Sequence, residues 1–311
     1  MKKLISDLKY RIEYIFIRLL VSLVNAFPIP VSYFLTQGLG RLIFYFLKKR
    51  RKITRQNLDR AYASRLTPAE KDKIAMGSFQ SMTTSIFEFF RTPQILKQAG
   101  QMFEFTGTEH LDKAFARGRG VILVISHTGS WEYLSFLPNL RKYPCAVVTK
   151  TFKNPYLYRH IKYLREITSL KNIDKKNAAK SILAELKKNH LVAILIDQWA
   201  GIEGVWGPFF GEGTSSTNIP ARLALRNGAA LVPAYCLRKA PGRYEIRIEP
   251  EVLFEETKEN PELEMTNRLN LLLEKQILRL PEQWAWGHSR WKGIERYQRQ
   301  KPVAAPPLSS R

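Results

Sequence analysis

The stretch Val121–Leu134, VILVISHTGSWEYL, decides the reading of the fold. Its apolar run from Val121 to Ile125 is unbroken and hands Ser126 and His127 to a Thr-Gly-Ser turn, after which Trp131, Glu132 and Tyr133 open a helix. A strand that ends in a small-residue turn is how α/β proteins present reactive side chains at the carboxyl edge of a sheet. Four residues separate His127 from Glu132, so the chain can fold back and bring carboxylate to imidazole. A carboxylate on one ring nitrogen fixes the tautomer and leaves the other nitrogen free as a base near neutral pH. The plain alternative is a solvated loop histidine.

Working outward, strands alternate with helices. Downstream, Ala146–Thr149 and Leu191–Ile196 read as strands, the second ending in Asp197-Gln198 at the same sheet edge as His127. Phe103–Phe105, Ala230–Leu237 and Tyr244–Ile248 complete the strand set. Helices are expected over Leu111–Arg117, from Asn154-Pro155 past Leu164 (with Arg159 and Arg165 on it), through Ala178–Leu186, over Pro220–Arg226 and over Thr266–Arg279. Trp199–Pro208 reads as a glycine-punctuated loop, and Glu212–Asn218 as a polar run. Upstream, Thr67-Pro68-Ala69-Glu70 is a capping box, opening a helix towards Phe90. Glu88 and Arg91 sit there beside an aromatic cluster that could border a lipid site. The alternation predicts an α/β fold: a mixed, mostly parallel sheet flanked by helices.

The 311 residues, 45% of them hydrophobic, suffice for a sizeable core. Fifty Lys plus Arg against 27 Asp plus Glu leave a net charge of +23, which calls for an anionic partner. Cys145 and Cys236 lie in apolar runs and read as buried packing residues. No Cys/His spacing suggests a metal, and no cofactor is expected. Near the N-terminus, Tyr14–Phe27 is apolar but interrupted by Arg18, and no cleavage site follows. It is short of the ~20 residues a spanning helix needs. With the apolar Val31–Leu47 and the cations Lys48–Lys52, it reads as a membrane-associated helical segment with a cytoplasmic, basic flank. A soluble helical hairpin joined to the core is the alternative. The expected division is residues 1–52 for that segment, 53–298 for the main domain and 299–311 for a disordered tail.

Five motifs together are specific: HTGSWE at His127–Glu132, Asp197-Gln198, GPFFG at Gly207–Gly211, ARLALRNGAALVPAY at Ala221–Tyr235 and PEQWAWGHSRWK at Pro281–Lys292. They resemble the bacterial lipid A biosynthesis acyltransferases, the lauroyl/myristoyl transferase branch of the lysophospholipid acyltransferase superfamily, over nearly the whole chain to about Tyr297. The resemblance implies a glycerolipid-acyltransferase-like fold and an enzyme on the cytoplasmic face of the bacterial inner membrane. It also implies transfer of a fatty acyl chain from acyl carrier protein to a hydroxyl of a Kdo-bearing lipid A precursor. His127 and Glu132 match the family's HX4(D/E) pair and Arg165 its functional arginine, so these three are the expected catalytic residues. The family often has glycine shortly after that arginine, where this chain reads Glu166-Ile167-Thr168-Ser169.

The mechanism expected is direct transfer in a ternary complex, with His127 oriented by Glu132. The turn N–H groups of Thr128–Ser130, or Arg165, are the candidate oxyanion donors. Ser130, Arg159, Asp197, Gln198 and Arg222 form the expected substrate-binding set. Anionic membrane lipid and the lipid acceptor are the other expected partners. A covalent route through Ser126 or Ser130 lacks a G-x-S-x-G elbow. Another glycolipid or a lysophospholipid is the alternative acceptor. A rival of another class is a non-catalytic basic membrane- or nucleic-acid-binding protein, but no nucleic-acid motif is visible.

Overall fold

Charge-free runs rich in valine, isoleucine and leucine form the centre of a seven-stranded sheet in a computed structural model of the chain. The structure describes residues 2–149, 152–174, 178–253 and 259–295, with side chains from residue 5 onward; the expected tail, 299–311, lies outside them. The strands are β1 (Phe103–Thr106), β2 (Val121–Ile125), β3 (Cys145–Thr149), β4 (Leu170–Asp174), β5 (Leu191–Leu195), β6 (Val205–Phe209), β7 (Glu212–Ser216), β8 (Ala230–Ala240) and β9 (Arg243–Ile248). Their order in the main sheet is β1-β9-β8-β2-β5-β3-β4. Every pairing is parallel except β8 with β9. The sheet is therefore mixed and mostly parallel, as the alternation predicts, and β2 and β5 lie at its centre. Both faces are covered, which is why these strands tolerate no polar residue.

Two strand assignments differ from the sequence reading. β4, LKNID, carries only two apolar residues because it is the edge strand. β6 and β7 form a separate antiparallel hairpin where a loop and a polar run were expected. Glycines, a proline and hydroxyls hide its strand pattern. Its burial comes instead from the distant chain end: Trp291 Nε1–H donates to Phe209 O, and Thr214 Oγ1–H to Arg290 O.

The helices are α1 (Lys2–Asn25), α2 (Ile29–Phe46), α3 (Lys48–Tyr62), α4 (Pro68–Phe90), α5 (Thr92–Ile95), α6 (Ala99–Met102), α7 (Thr108–Ala116), α8 (Leu137–Arg141), α9 (Pro155–Glu166), α10 (Ala178–Leu186), α11 (Ile219–Asn227) and α12 (Pro261–Arg279). Thr67 caps α4 with Glu70 in the reciprocal arrangement the sequence signals. The residues after the Thr-Gly-Ser turn form a 3₁₀-helix, Trp131–Phe136, rather than an α-helix.

The N-terminal expectation is corrected. No helix among the described residues is long and apolar enough to cross a membrane, and the membrane-associated segment and inner-membrane placement are withdrawn on that finding. The polar stripe of α1 is spent on protein. Tyr156 O–H donates to Asp7, Asn25 Nδ2–H donates to Phe87 O, and Arg18 stands 2.6 Å from His160 Nε2. Burial and that cation push the His160 imidazole down to about 4. α2 presses Thr36 and Gly40 onto α4; a Cβ at Gly40 would lie 2.5 Å from Gln80 Cα, so the small residue permits the close approach. The opposite faces leave Phe16, Leu19, Phe34 and Phe46 exposed.

Candidate active site

The register of the two central strands builds the site. Ile125 of β2 pairs with Leu195 of β5, so two residues further on His127 and Asp197 leave the sheet side by side. The His127 backbone N–H donates to Asp197 Oδ2 at 2.9 Å, and the ring Nδ1–H donates to Oδ1 at 2.8 Å. Trp284 Nε1–H donates to Oδ2 at 2.9 Å and completes a three-donor cradle. Burial pushes the Asp197 carboxyl up, but the His127 charge and these donors outweigh it and hold the group at about 2. Burial likewise pushes the His127 imidazole down, and Asp197 reverses this, so the net shift is upward from the ordinary histidine value. With Nδ1–H committed to Asp197, Nε2 is the free base nitrogen.

The carboxylate bonded to the imidazole is thus Asp197, and the expected pairing of Glu132 with His127 is corrected. Glu132 receives a two-pronged bond from Arg165: Nη2–H to Oε1 at 2.6 Å and Nε–H to Oε2 at 3.0 Å. Arg165 Nη1–H also reaches Thr149 Oγ1 at 3.2 Å. Five residues beyond His127, the carboxylate points across to α9 rather than back along the turn. It still lies near enough to raise the imidazole's basicity electrostatically, after Asp197.

The turn itself is held on both sides. Gly129 adopts φ +58°, and a Cβ there would meet Cys236 O at 2.3 Å, so glycine is required twice over. Thr128 N–H donates to Ser126 O at 2.8 Å, Gly129 N–H to Gln283 O at 2.8 Å and Ser130 N–H to Cys236 O at 2.9 Å. The three amides expected to stabilise an oxyanion are therefore already engaged.

Beneath the turn lies a buried ion pair that sequence reasoning missed. Arg238 at the end of β8 donates through Nε and Nη2 to Glu88 of α4, at 2.7 and 2.5 Å. Tyr244 O–H and Ser130 Oγ–H donate to the same carboxylate, and Arg238 Nη2–H reaches Ser85. The available signal was a charged residue, Arg238, continuing the apolar run of β8.

The remaining expected substrate residues are placed as follows. Gln198 is exposed beside the base, with Nε2 3.4 Å from His127 Nε2. Ser130 is buried in the Glu88–Arg238 network; it stands at the start of the 3₁₀-helix, but its side chain makes no capping bond there and none to His127. Arg159 is exposed and lies over the Tyr156 ring at 5.0 Å. Arg222 is engaged by Glu262 at 3.1 Å on the surface of α11. The Ser126 hydroxyl is bonded to Thr128, so no serine is activated by the imidazole. Trp284, Trp286 and Trp291 are buried and form a packed cover over this end of the sheet.

A narrow apolar cleft with a free volume of about 30 Å³ opens beside this group. Glu132, Arg165 and Trp131 lie along it with Ile125 and Leu195, at the carboxyl ends of their strands; Cys145 and Leu170, at the starts of β3 and β4, mark its other end. The Cys145 thiol is pushed up to about 12 by burial, so it stays protonated and apolar in character.

The sequence that builds this site has counterparts among known proteins. Residues 1–293 match the family described as bacterial lipid A biosynthesis acyltransferase. The chain belongs to that family. Among its relatives is the lipid A biosynthesis palmitoleoyltransferase of Escherichia coli K12, 30% identical over 275 residues, covering 85% of this chain and 86% of the relative. The lauroyltransferase of the same organism is 29% identical over 283 residues, covering 87% and 88%. The phosphatidylinositol mannoside acyltransferase of Mycolicibacterium smegmatis is 27% identical over 243 residues, covering 76% and 78%. This lipid A acyltransferase family member is thus an O-acyltransferase.

Proposed function

We propose that the enzyme transfers a fatty acyl chain from an acyl-carrier-protein thioester to a hydroxyl of a Kdo-bearing lipid A precursor. His127 acts as general base. The observation that carries the reading is the bond from His127 Nδ1–H to Asp197, which leaves Nε2 unprotonated at the sheet edge. Nε2 takes the acceptor's proton as its oxygen attacks the thioester carbon. The tetrahedral intermediate then expels the carrier thiolate, which leaves with that proton as a thiol. In this scheme Glu132 supports the charge of the imidazolium, and Arg165 holds Glu132 in place. The net charge of +23 suits an acidic carrier protein and a phosphorylated acceptor. The match to a phosphatidylinositol mannoside acyltransferase favours, as second reading, another glycolipid acceptor.

We assign the acyl chain to the cleft between Glu132 and Leu170, whose apolar walls part to admit it. One experiment tests both parts. Purified enzyme is given either the Kdo-bearing precursor or a mannosylated phosphatidylinositol, with a ladder of carrier thioesters and the matching coenzyme A esters, and products are identified by mass. Acylated precursor formed from carrier thioesters supports the proposal. Product only on a different glycolipid selects the second reading. Ala193 lines the cavity and is buried, so Ala193→Phe should lower kcat/KM for the longest donors at least about tenfold more than for the shortest. An unchanged donor-length profile would place the chain elsewhere.

A further inference from the structure

A tetrahedral intermediate needs a donor for its oxyanion, and the turn amides expected to supply it are already engaged. The amides of Thr128, Gly129 and Ser130 all donate to carbonyls of the protein. All three nitrogens of Arg165 donate to Glu132 or Thr149. Gln198 is placed differently. Its side chain is exposed, and its Nε2 lies 3.4 Å from the nitrogen assigned as the base. Its backbone is fixed from below: Arg290 Nη1–H donates to Gln198 O at 3.2 Å and to Ser215 O at 2.7 Å, while Nη2–H donates to Ser216 Oγ at 2.6 Å. Arg290 is fully buried, so the residue after Asp197 rests on a rigid support.

We propose that Gln198 is a catalytic residue whose side-chain amide donates a hydrogen bond to the thioester oxygen as it becomes an oxyanion. The proposal rests on His127 being the base. In the resting enzyme the amide N–H faces the lone pair on His127 Nε2. The acceptor hydroxyl displaces it there, forms the new C–O bond and gives its proton to Nε2. The carbonyl π electrons move onto the thioester oxygen, where the freed amide meets them. When the C–S bond breaks, the charge returns to the carbonyl and the proton leaves on the sulfur. A donor that acts only on the developing charge stabilises the transition state more than the bound substrates, so its loss falls on kcat.

The test uses full-length enzyme with saturating carrier thioester and acceptor. Gln198→Ala and Gln198→Glu should each lower kcat by about 10²-fold or more, with KM changed by less than about threefold. The glutamate variant preserves size but removes the donor, so it should be no better than alanine. Because the side chain is exposed, both variants should melt with the wild type. A kcat within twofold of wild type, or a loss confined to KM, overturns the proposal. His127→Ala in the same assay separates the two layers. If it is inactive while the Gln198 variants turn over normally, only the role of Gln198 fails. If it turns over normally, the base assignment fails first.

Discussion

Replacing His127 with alanine is expected to lower kcat by about 10²–10⁴-fold, the usual worth of a positioned general base. Donor and acceptor binding should change little, because the ring supplies proton transfer and the cavity walls are untouched. Steady-state transfer assays read the first effect, and calorimetric titration with a carrier thioester reads the second. Loss of donor binding in step with kcat would make His127 a structural prop. Asp197→Asn should approach the same loss by another route. The amide keeps the shape but removes the charge that raises the imidazole's proton affinity. Glu132→Gln should be milder, since its carboxylate bonds Arg165 and not the ring.

The second large effect concerns stability. Arg238→Met leaves the Glu88 carboxylate buried among Ser130, Ser85 and Tyr244 without its cation. Glu88 and Arg238 are only 9% and 7% exposed, so water cannot replace the lost partner. Removing one member of a buried pair typically costs about 3–5 kcal/mol. At roughly 2–4 °C per kcal/mol, the thermal midpoint should fall by about 10 °C. Glu88→Leu combined with Arg238→Met should recover part of that loss, because neither member of the pair is then left buried without the other. A single variant melting within about 2 °C of wild type would show that the pair is not what ties α4 to the His127 turn. Activity should fall in the single variant too, as Ser130 loses a fixed anchor just past the base.

The sequence made much of this legible, for a definite reason. Val121–Ile125 is wholly apolar because β2 has neighbours on both edges and cover on both faces, so strand, turn and His127 could all be read locally. Asp197 was visible as the end of a strand, but not as the partner of His127. That role depends on β5 lying next to β2, a pairing across 70 residues that no local pattern encodes. Glu132 looked the better partner because it is near in sequence, yet the 3₁₀ turn carries it towards Arg165. The apolar stripes of α1 and α2 were equally clear. What covers part of them, α4 and the His160 region of α9, is again a long-range matter. The β6–β7 hairpin was hidden because its burial is supplied by Arg290 and Trp291, some 75 residues onward.

The most direct measurement is the pH dependence of kcat/KM for the wild type and Asp197→Asn. The base must be neutral to work, so activity should rise with pH through the imidazole's pKa. Asp197 raises that value, so the wild-type midpoint should lie above the ordinary ~6.5. In Asp197→Asn the midpoint should move to lower pH while the plateau falls. Superimposable acid limbs in the two proteins would contradict the account, because they would mean that the group titrating in catalysis does not feel Asp197.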